Sequence, residues 1–271
     1  MSMSSSSFSY VTSLLRRTCA VDLHRGKRYL VESRLARLAH ARGHTGADAV
    51  DRYVGRLRAG ADRNEAERVV EALMTTETSW FRDGSPFAAL DLLLGALPAR
   101  TGGPRLWSAG CSTGQEPYSL AMVLLDNDVP DFSVLATDLS AAVLRQACTG
   151  RYTEHELARG LPDGVLERHF RPAGERWQVS AAVRSRVTFR RHNLLDPGGP
   201  GGTFDIVFLR HVLMHLDLAA RAAVLGRVRR HLVPGGLVVL GAGETPVGVD
   251  DSWRRLTLPG VSAYRLAESA A

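Results

Sequence analysis

A chain of 271 residues with 45% hydrophobic and 23% charged side chains can bury a sizeable core and carry one large domain plus a small one. No apolar run approaches the roughly 18 residues of a membrane span, and the Ser-rich opening lacks the basic stretch and apolar core of a secretory signal. The net charge of +6 would suit nucleic acid, but Lys27 is the only lysine and the arginines are scattered without a nucleic-acid-binding motif. Neither nucleic acid nor membrane insertion is therefore expected.

From the N-terminus, residues 8 to about 74 read as helices. Leu30, Leu35 and Leu38 recur among charges, and so do Val50, Tyr53, Val54 and Leu57. Gly26, Gly43 to Gly46 and Gly60 to Asp62 punctuate these stretches, and a further helix is expected from about Arg63 to Leu73. The expected boundaries are a helical domain at 1–74 and a larger domain at 75–271, with a small antiparallel insertion at 150–186. Arg16, Arg17, His24, Arg25, Lys27, Arg28, Arg34 and Arg37 crowd the first 40 residues, a strip that would suit an acidic partner. Cys19, Cys111 and Cys148 are isolated thiols without metal-ligand spacing, which points to a reducing cytoplasm and to no bound metal.

The most informative stretch is Arg105 to Met122. A short apolar run breaks at Gly110, passes through Cys111, Ser112, Thr113 and Gly114, and enters a helix at Glu116-Pro117. Such a strand–glycine loop–helix unit brings bare backbone to a nucleotide-like ligand at the carboxyl edge of a parallel sheet. The spacing G-x-S-x-G also fits the nucleophile elbow of a serine hydrolase, with Ser112 exposed on a strained turn. The next apolar run favours the cofactor loop: Ser133 to Asp138 is a buried strand ending in an acid, where a ribose diol is gripped.

Further strands are expected at 187–191, 204–210 and 236–242, with helix-like stretches between most of them. Within the insertion, His169-Phe170-Arg171 and Trp177-Gln178-Val179 flank a Pro172-Ala173-Gly174 turn. Trp253 to Leu266 alternates around Pro259-Gly260 like a closing antiparallel hairpin. The fold class is α/β, a doubly wound Rossmann-like sheet with a small all-helical domain and a short antiparallel excursion.

GCSTGQEPYS followed by ATDLS resembles the S-adenosylmethionine-dependent methyltransferases of the bacterial chemotaxis-receptor (CheR) type, which esterify receptor glutamates. Thr75 to Asp83, Phe189 to Asp196, Phe204 to Asp217 and His231 to Glu244 are similar to further family motifs in the same order, so the resemblance runs from about Phe8 to Leu266. It implies S-adenosylmethionine as cofactor, S-adenosylhomocysteine as product, and a monomer acting on an acidic protein. It also implies a site. Arg82 pairs the cofactor carboxylate through a guanidinium fork, Glu116 holds the ammonium, Asp138 takes the ribose and Asn193 meets adenine. Thr76, Thr78, Gly110, Ser112, Gly114, Leu194 and Val212 line the same pocket.

One loop departs from the family. Where Arg-Asn-Val-x-x-Tyr-Phe is usual, this chain reads Arg210-His211-Val212-Leu213-Met214-His215-Leu216. His211 and His215 thus replace an asparagine that helps hold the cofactor and a tyrosine near the transferred methyl. Four apart, they would share a face of a helix. No third metal ligand accompanies them. As general bases they would serve an amine, guanidine or hydroxyl acceptor, whereas a carboxylate is already anionic and needs none. Two readings stay open: a protein carboxyl methyltransferase, and a small-molecule methyltransferase on the same scaffold. A regulator without catalysis would be expected to lack Arg82 or Asp138, and both are present.

Overall fold

The computed structural model describes residues 3–60, 63–98 and 102–267. The chain forms two compact units, one of Met1–Thr75 with His215–Asp217, the other of Thr76–Met214 with Leu218–Ala271.

The helical unit contains α1 (Ser5–Cys19), α2 (Arg28–Ala41), α3 (Ala49–Arg58) and α4 (Arg63–Leu73). The serine-rich opening has a structural use: the Ser4 side chain accepts from the Ser7 amide and starts α1 as an N-cap. Ser4 is held in turn by the Asp51 carboxylate, 2.6 Å from its hydroxyl. Phe8, Val11, Leu15 and Cys19 form the buried stripe of α1, and Val50, Tyr53, Val54 and Leu57 that of α3. In α2 the buried line is Val31, Leu35 and Ala39, while Leu30 and Leu38 are only half-buried. Leu35 is thus shared with the expected stripe, while Val31 and Ala39 take the buried places beside Leu30 and Leu38. Within the arginine strip, Arg34 is not available to a partner. Its guanidinium donates to the carbonyls of Leu73 and Met74 at 2.9 and 3.1 Å, satisfying the open end of α4. Arg16, Arg17, His24, Lys27 and Arg37 are exposed, and the Arg25 side chain lies outside the described residues.

The sheet unit carries ten strands. A seven-stranded sheet contains β1 (Arg105–Ala109), β2 (Ser133–Asp138), β6 (Val187–Arg191), β7 (Phe204–Leu209), β8 (Leu232–Leu240), β9 (Trp253–Arg255) and β10 (Ser262–Leu266). Their order is β6-β2-β1-β7-β8-β10-β9, and only β10 runs against the others. Central β7 is buried at all six positions, as a strand covered on both faces must be. β8 starts four residues before the expected 236, because a register shift against β7 takes up Pro234-Gly235-Gly236. β10 inserts between β8 and β9, so the closing hairpin joins the sheet by its second arm.

β3 (Arg151–Tyr152), β4 (Phe170–Ala173) and β5 (Arg176–Val179) form a separate antiparallel sheet, in the order β3-β5-β4. Pro172 and Ala173 belong to β4, and the reversal falls at Gly174-Glu175 rather than at Pro172. Trp80, fully buried, packs edge-on against Tyr152 and Phe170 with ring centroids 4.8 and 5.2 Å apart.

Candidate cofactor and active site

Strand order places the switch point between β1 and β7, whose carboxyl ends diverge into different connections. This is where a doubly wound sheet opens a crevice. The glycine loop leaves β1 there and is tied down twice: the Gly110 and Cys111 amides both donate to the Thr137 carbonyl, at 2.8 and 2.9 Å. Gly110 and Gly114 have φ of +87° and +95°. A Cβ at Gly110 would lie 2.7 Å from the Val212 side chain, and one at Gly114 would lie 3.0 Å from the Tyr152 hydroxyl. Both glycines are thus required by conformation and by space. Val212 abuts the glycine loop.

Ser112 sits between them in the left-handed region at φ +50°, but it is buried, not exposed as a nucleophile elbow would require. Its amide donates to Asp138 Oδ2 at 2.9 Å and its hydroxyl to the Thr76 carbonyl at 2.8 Å. The serine joins the loop to its neighbours. Asp138 also accepts from the Ser140 amide at 3.0 Å, so its carboxylate is aimed along the sheet edge by two backbone N–H groups. Thr76 and Thr78 lie in a segment without regular secondary structure, not on a helix. They form one wall of a polar cleft of about 190 Å³ whose other walls include Thr113, Gln115 and Glu156. Arg82 is not part of that wall; it donates to the Glu77 carbonyl at 3.0 Å.

Arg82 rides on a turn with unusual backbone. Phe81, Asp83 and Gly84 all have positive φ, and the Trp80 and Phe81 amides pin the turn to the Arg159 carbonyl and the Ser119 hydroxyl, at 3.0 and 3.2 Å. Asp83 does not pair with Arg82. It pairs with Arg210 at 3.0 Å and with His211 Nε2 at 2.9 Å. Burial pushes the Asp83 carboxyl up, but the Arg210 and His211 charges together hold it below its ordinary value.

Arg210 is the residue that the motif reading passed over. Its side chain is 1% exposed, and it bridges Asp83 to Glu116, the latter at 2.8 Å, while also donating to the Arg82 carbonyl. Its Nε is buried with no hydrogen-bond partner among the described residues, and its guanidinium lies over the Phe87 ring. Glu116 Oε1 accepts from Ser108 at 2.7 Å. The available signal was the position itself, an arginine at the carboxyl end of a fully apolar central strand.

The loop after β7 is not an α-helix. Leu213–His215 forms a single 3-10 turn, and His211 lies before it with φ +58°. His211 and His215 therefore do not share a helix face; His211 belongs to the sheet unit and His215 to the helical unit. Beyond β6, the Asn193 Oδ1 accepts from the Leu195 amide at 3.0 Å and its carbonyl from the Asp196 amide at 2.8 Å, forming a turn that also carries Leu194. The preceding His192 is tied to the Asp138 carbonyl at 3.0 Å, so the Asn193 turn and Asp138 lie on one edge.

The residues present fit a nucleoside-like cofactor with an amino-acid tail. The edge offers a backbone cradle where no Cβ fits, an oriented carboxylate at the end of β2, and clustered carboxylates around a buried guanidinium. Comparison with known proteins agrees in kind. Residues 76–259 match "CheR methyltransferase, SAM binding domain" and residues 6–74 match "CheR methyltransferase, all-alpha domain". Chemotaxis protein methyltransferase Cher2 of Pseudomonas putida is 37% identical over 96% of this chain and 98% of its own length. Chemotaxis protein methyltransferase 1 of Pseudomonas aeruginosa is also 37% identical over the same shares. That of Vibrio parahaemolyticus is 36% identical over 93% of this chain and 94% of its own.

Proposed function

The chain belongs to the CheR methyltransferase family and is an S-adenosylmethionine-dependent methyltransferase, and from that premise we propose that it esterifies a glutamate-type carboxylate of an acidic chemotaxis protein. The observation that carries this reading is the match along both units to relatives named chemotaxis protein methyltransferase, each covered nearly end to end.

When bound, the cofactor would supply a sulfonium methyl group for in-line transfer: the acceptor carboxylate oxygen would bond to that carbon as the S–C bond breaks, and the sulfur would leave as the neutral thioether of S-adenosylhomocysteine. The protein's share is orientation and a correctly charged, dry surround. Asp138 is assigned to the ribose, Asn193 and Leu194 to the adenine side, and Arg82 to the carboxylate. The cradle of Gly110, Ser112, Gly114 and Val212 takes the chain between them, with Thr76 and Thr78 as its wall. Glu116 is assigned to the ammonium, and Arg210 fixes its direction. An ionised carboxylate acceptor has no proton to lose, so no base is required. The pairing of His211 with Asp83 supports that reading, since its Nε2 is already engaged. His215 stands at the motif position of the family's tyrosine and is assigned to packing beside the acceptor. The reading takes the enzyme as a cytoplasmic monomer, in keeping with three free thiols of which Cys19 and Cys111 are buried. Among the described residues no helix is long and apolar enough to cross a membrane.

The test uses methyl-labelled cofactor with the cytoplasmic part of a chemotaxis receptor. Label released as methanol by mild base is expected, and His215→Tyr should retain most of the rate. Base-stable label, with His215→Tyr slowed by roughly 10²–10⁴-fold, would instead indicate general-base transfer to an amine or hydroxyl.

A further inference from the structure

Glu244 lies just beyond β8 and is not itself among the residues assigned to the cofactor site. It is 7% exposed, and its carboxylate accepts three backbone N–H bonds: His211 at 2.7 Å and Gly241 at 2.9 Å on Oε2, and Met214 at 3.1 Å on Oε1. The charge-assisted bond to His211 holds a non-glycine residue in the left-handed region, a conformation that persists only where the surroundings enforce it. The same residue then sends its ring to Asp83, which binds Arg210, which binds Glu116. One carboxylate thus anchors a relay that reaches the glycine loop's helix.

Space at this junction is closed. A Cβ at Gly241 would sit 2.8 Å from both Glu244 Oε2 and the His211 amide, and 3.0 Å from His211 Nδ1. Gly241 is not among the positive-φ glycines, so its requirement is contact and not conformation.

We propose that Glu244 is a positioning residue for the cofactor site: it sets the backbone of His211 and, through the His211 ring and Asp83, the orientation of Arg210 and Glu116. The assignment rests on the proposed cofactor site. Glu244→Gln keeps the shape but must turn an NH2 toward either Met214 N–H or the His211 and Gly241 N–H pair. Gly241→Ala presses on the same contact from the other side.

The experiment measures S-adenosylhomocysteine binding by calorimetry, with circular dichroism establishing that each variant is folded. Each substitution is expected to weaken binding about tenfold, the scale of one charged hydrogen bond. In an Asp83→Asn background, Glu244→Gln should cost no more than about twofold further, because the relay is already cut. A purely local, structural role would lower the melting temperature and leave the affinity of the folded variant unchanged, or give fully additive losses; either result overturns the proposal. Should both variants fail to fold, hydrogen exchange on the unaltered protein decides. S-adenosylhomocysteine should slow exchange at the His211 and Met214 amides, and unchanged rates there refute the link. Asp138→Ala serves as the control. If it too leaves affinity intact, the site reading itself fails; if it weakens binding while Glu244→Gln does not, only the positioning role falls.

Discussion

The helical unit and the sheet unit each bury a carboxylate–arginine cluster, with opposite centres. In the helical unit the carboxylate is in the middle. Glu65 on α4, 7% exposed, accepts from Arg42 at 2.5 and 3.2 Å, from Arg68 at 2.9 Å and from the Tyr53 hydroxyl at 2.6 Å. The arginines around it keep side chains 46% and 43% exposed, so only one group is taken fully out of water. Burial alone would raise the Glu65 pKa, yet the bonds from Arg42, Tyr53 and Arg68 bring it down to about 2. In the sheet unit the cation is in the middle. Arg210 is 1% exposed, while Asp83 and Glu116 keep 29% and 13% of their side-chain surface. A buried carboxylate ringed by donors joins helices and presents nothing. A buried guanidinium ringed by carboxylates leaves part of each carboxylate at the surface.

That contrast is open to experiment. The largest effect is expected at the buried cation. Arg210→Met strands two carboxylates and should destabilise the sheet unit by about 3–5 kcal/mol in urea unfolding. Arg210→Lys should recover only part of this, because a single ammonium cannot span Glu116, Asp83 and a carbonyl. A cost below about 1 kcal/mol for Arg210→Met would mean that the cluster is not a structural centre.

Next in size is Asp138 of the same unit, the carboxylate proposed to take the ribose. Asp138→Ala should weaken S-adenosylhomocysteine binding by roughly 1.5–3 kcal/mol by calorimetry. Unchanged affinity would show that Asp138 serves only to hold the Ser112 and Ser140 amides.

The smallest effect belongs to the helical unit, and it carries a pH signature. Glu65 is held at about 2, below its ordinary 4.5, so its contribution is complete above the unfolded value and lost as pH falls toward 2. Glu65→Gln should cost about 2 kcal/mol at neutral pH, discounted for the half-exposed arginines. The difference in stability between parent and variant should shrink between pH 5 and 2 while cofactor affinity at neutral pH stays level. A difference independent of pH would place the cost in packing instead.

Much of this was legible in the linear chain. β1, β2 and β6 begin and end where the apolar runs do, and α4 spans the expected Arg63–Leu73. The close approach at Gly110 and Gly114 follows from the loop motif, and Asp138 lies at the expected end of β2. Less legible were features that depend on partners distant in sequence. Arg34 looked like part of a partner-facing strip but satisfies carbonyls 39 and 40 residues away. Asp83 adjoins Arg82 in sequence yet pairs 127 residues away with Arg210. His211 and His215 looked like one helix face, but a left-handed residue and a 3-10 turn separate them.

Sequence by itself determined the periodic and local features: which stretches form helix or strand, where the glycine loop must bend, and which acid ends the second strand. Those follow from side-chain period, turn chemistry and steric allowance, which act within a few residues. Only the tertiary structure decided which buried charges meet, that Arg210 is the centre of its cluster, and that Glu244 holds the loop of His211. Such pairings are set by the strand order β1-β7-β8, which brings residues more than a hundred positions apart into hydrogen-bond reach. A buried charge must then be matched by whatever group the topology delivers, because leaving it unpaired costs several kcal/mol, on the order of the stability of a whole domain.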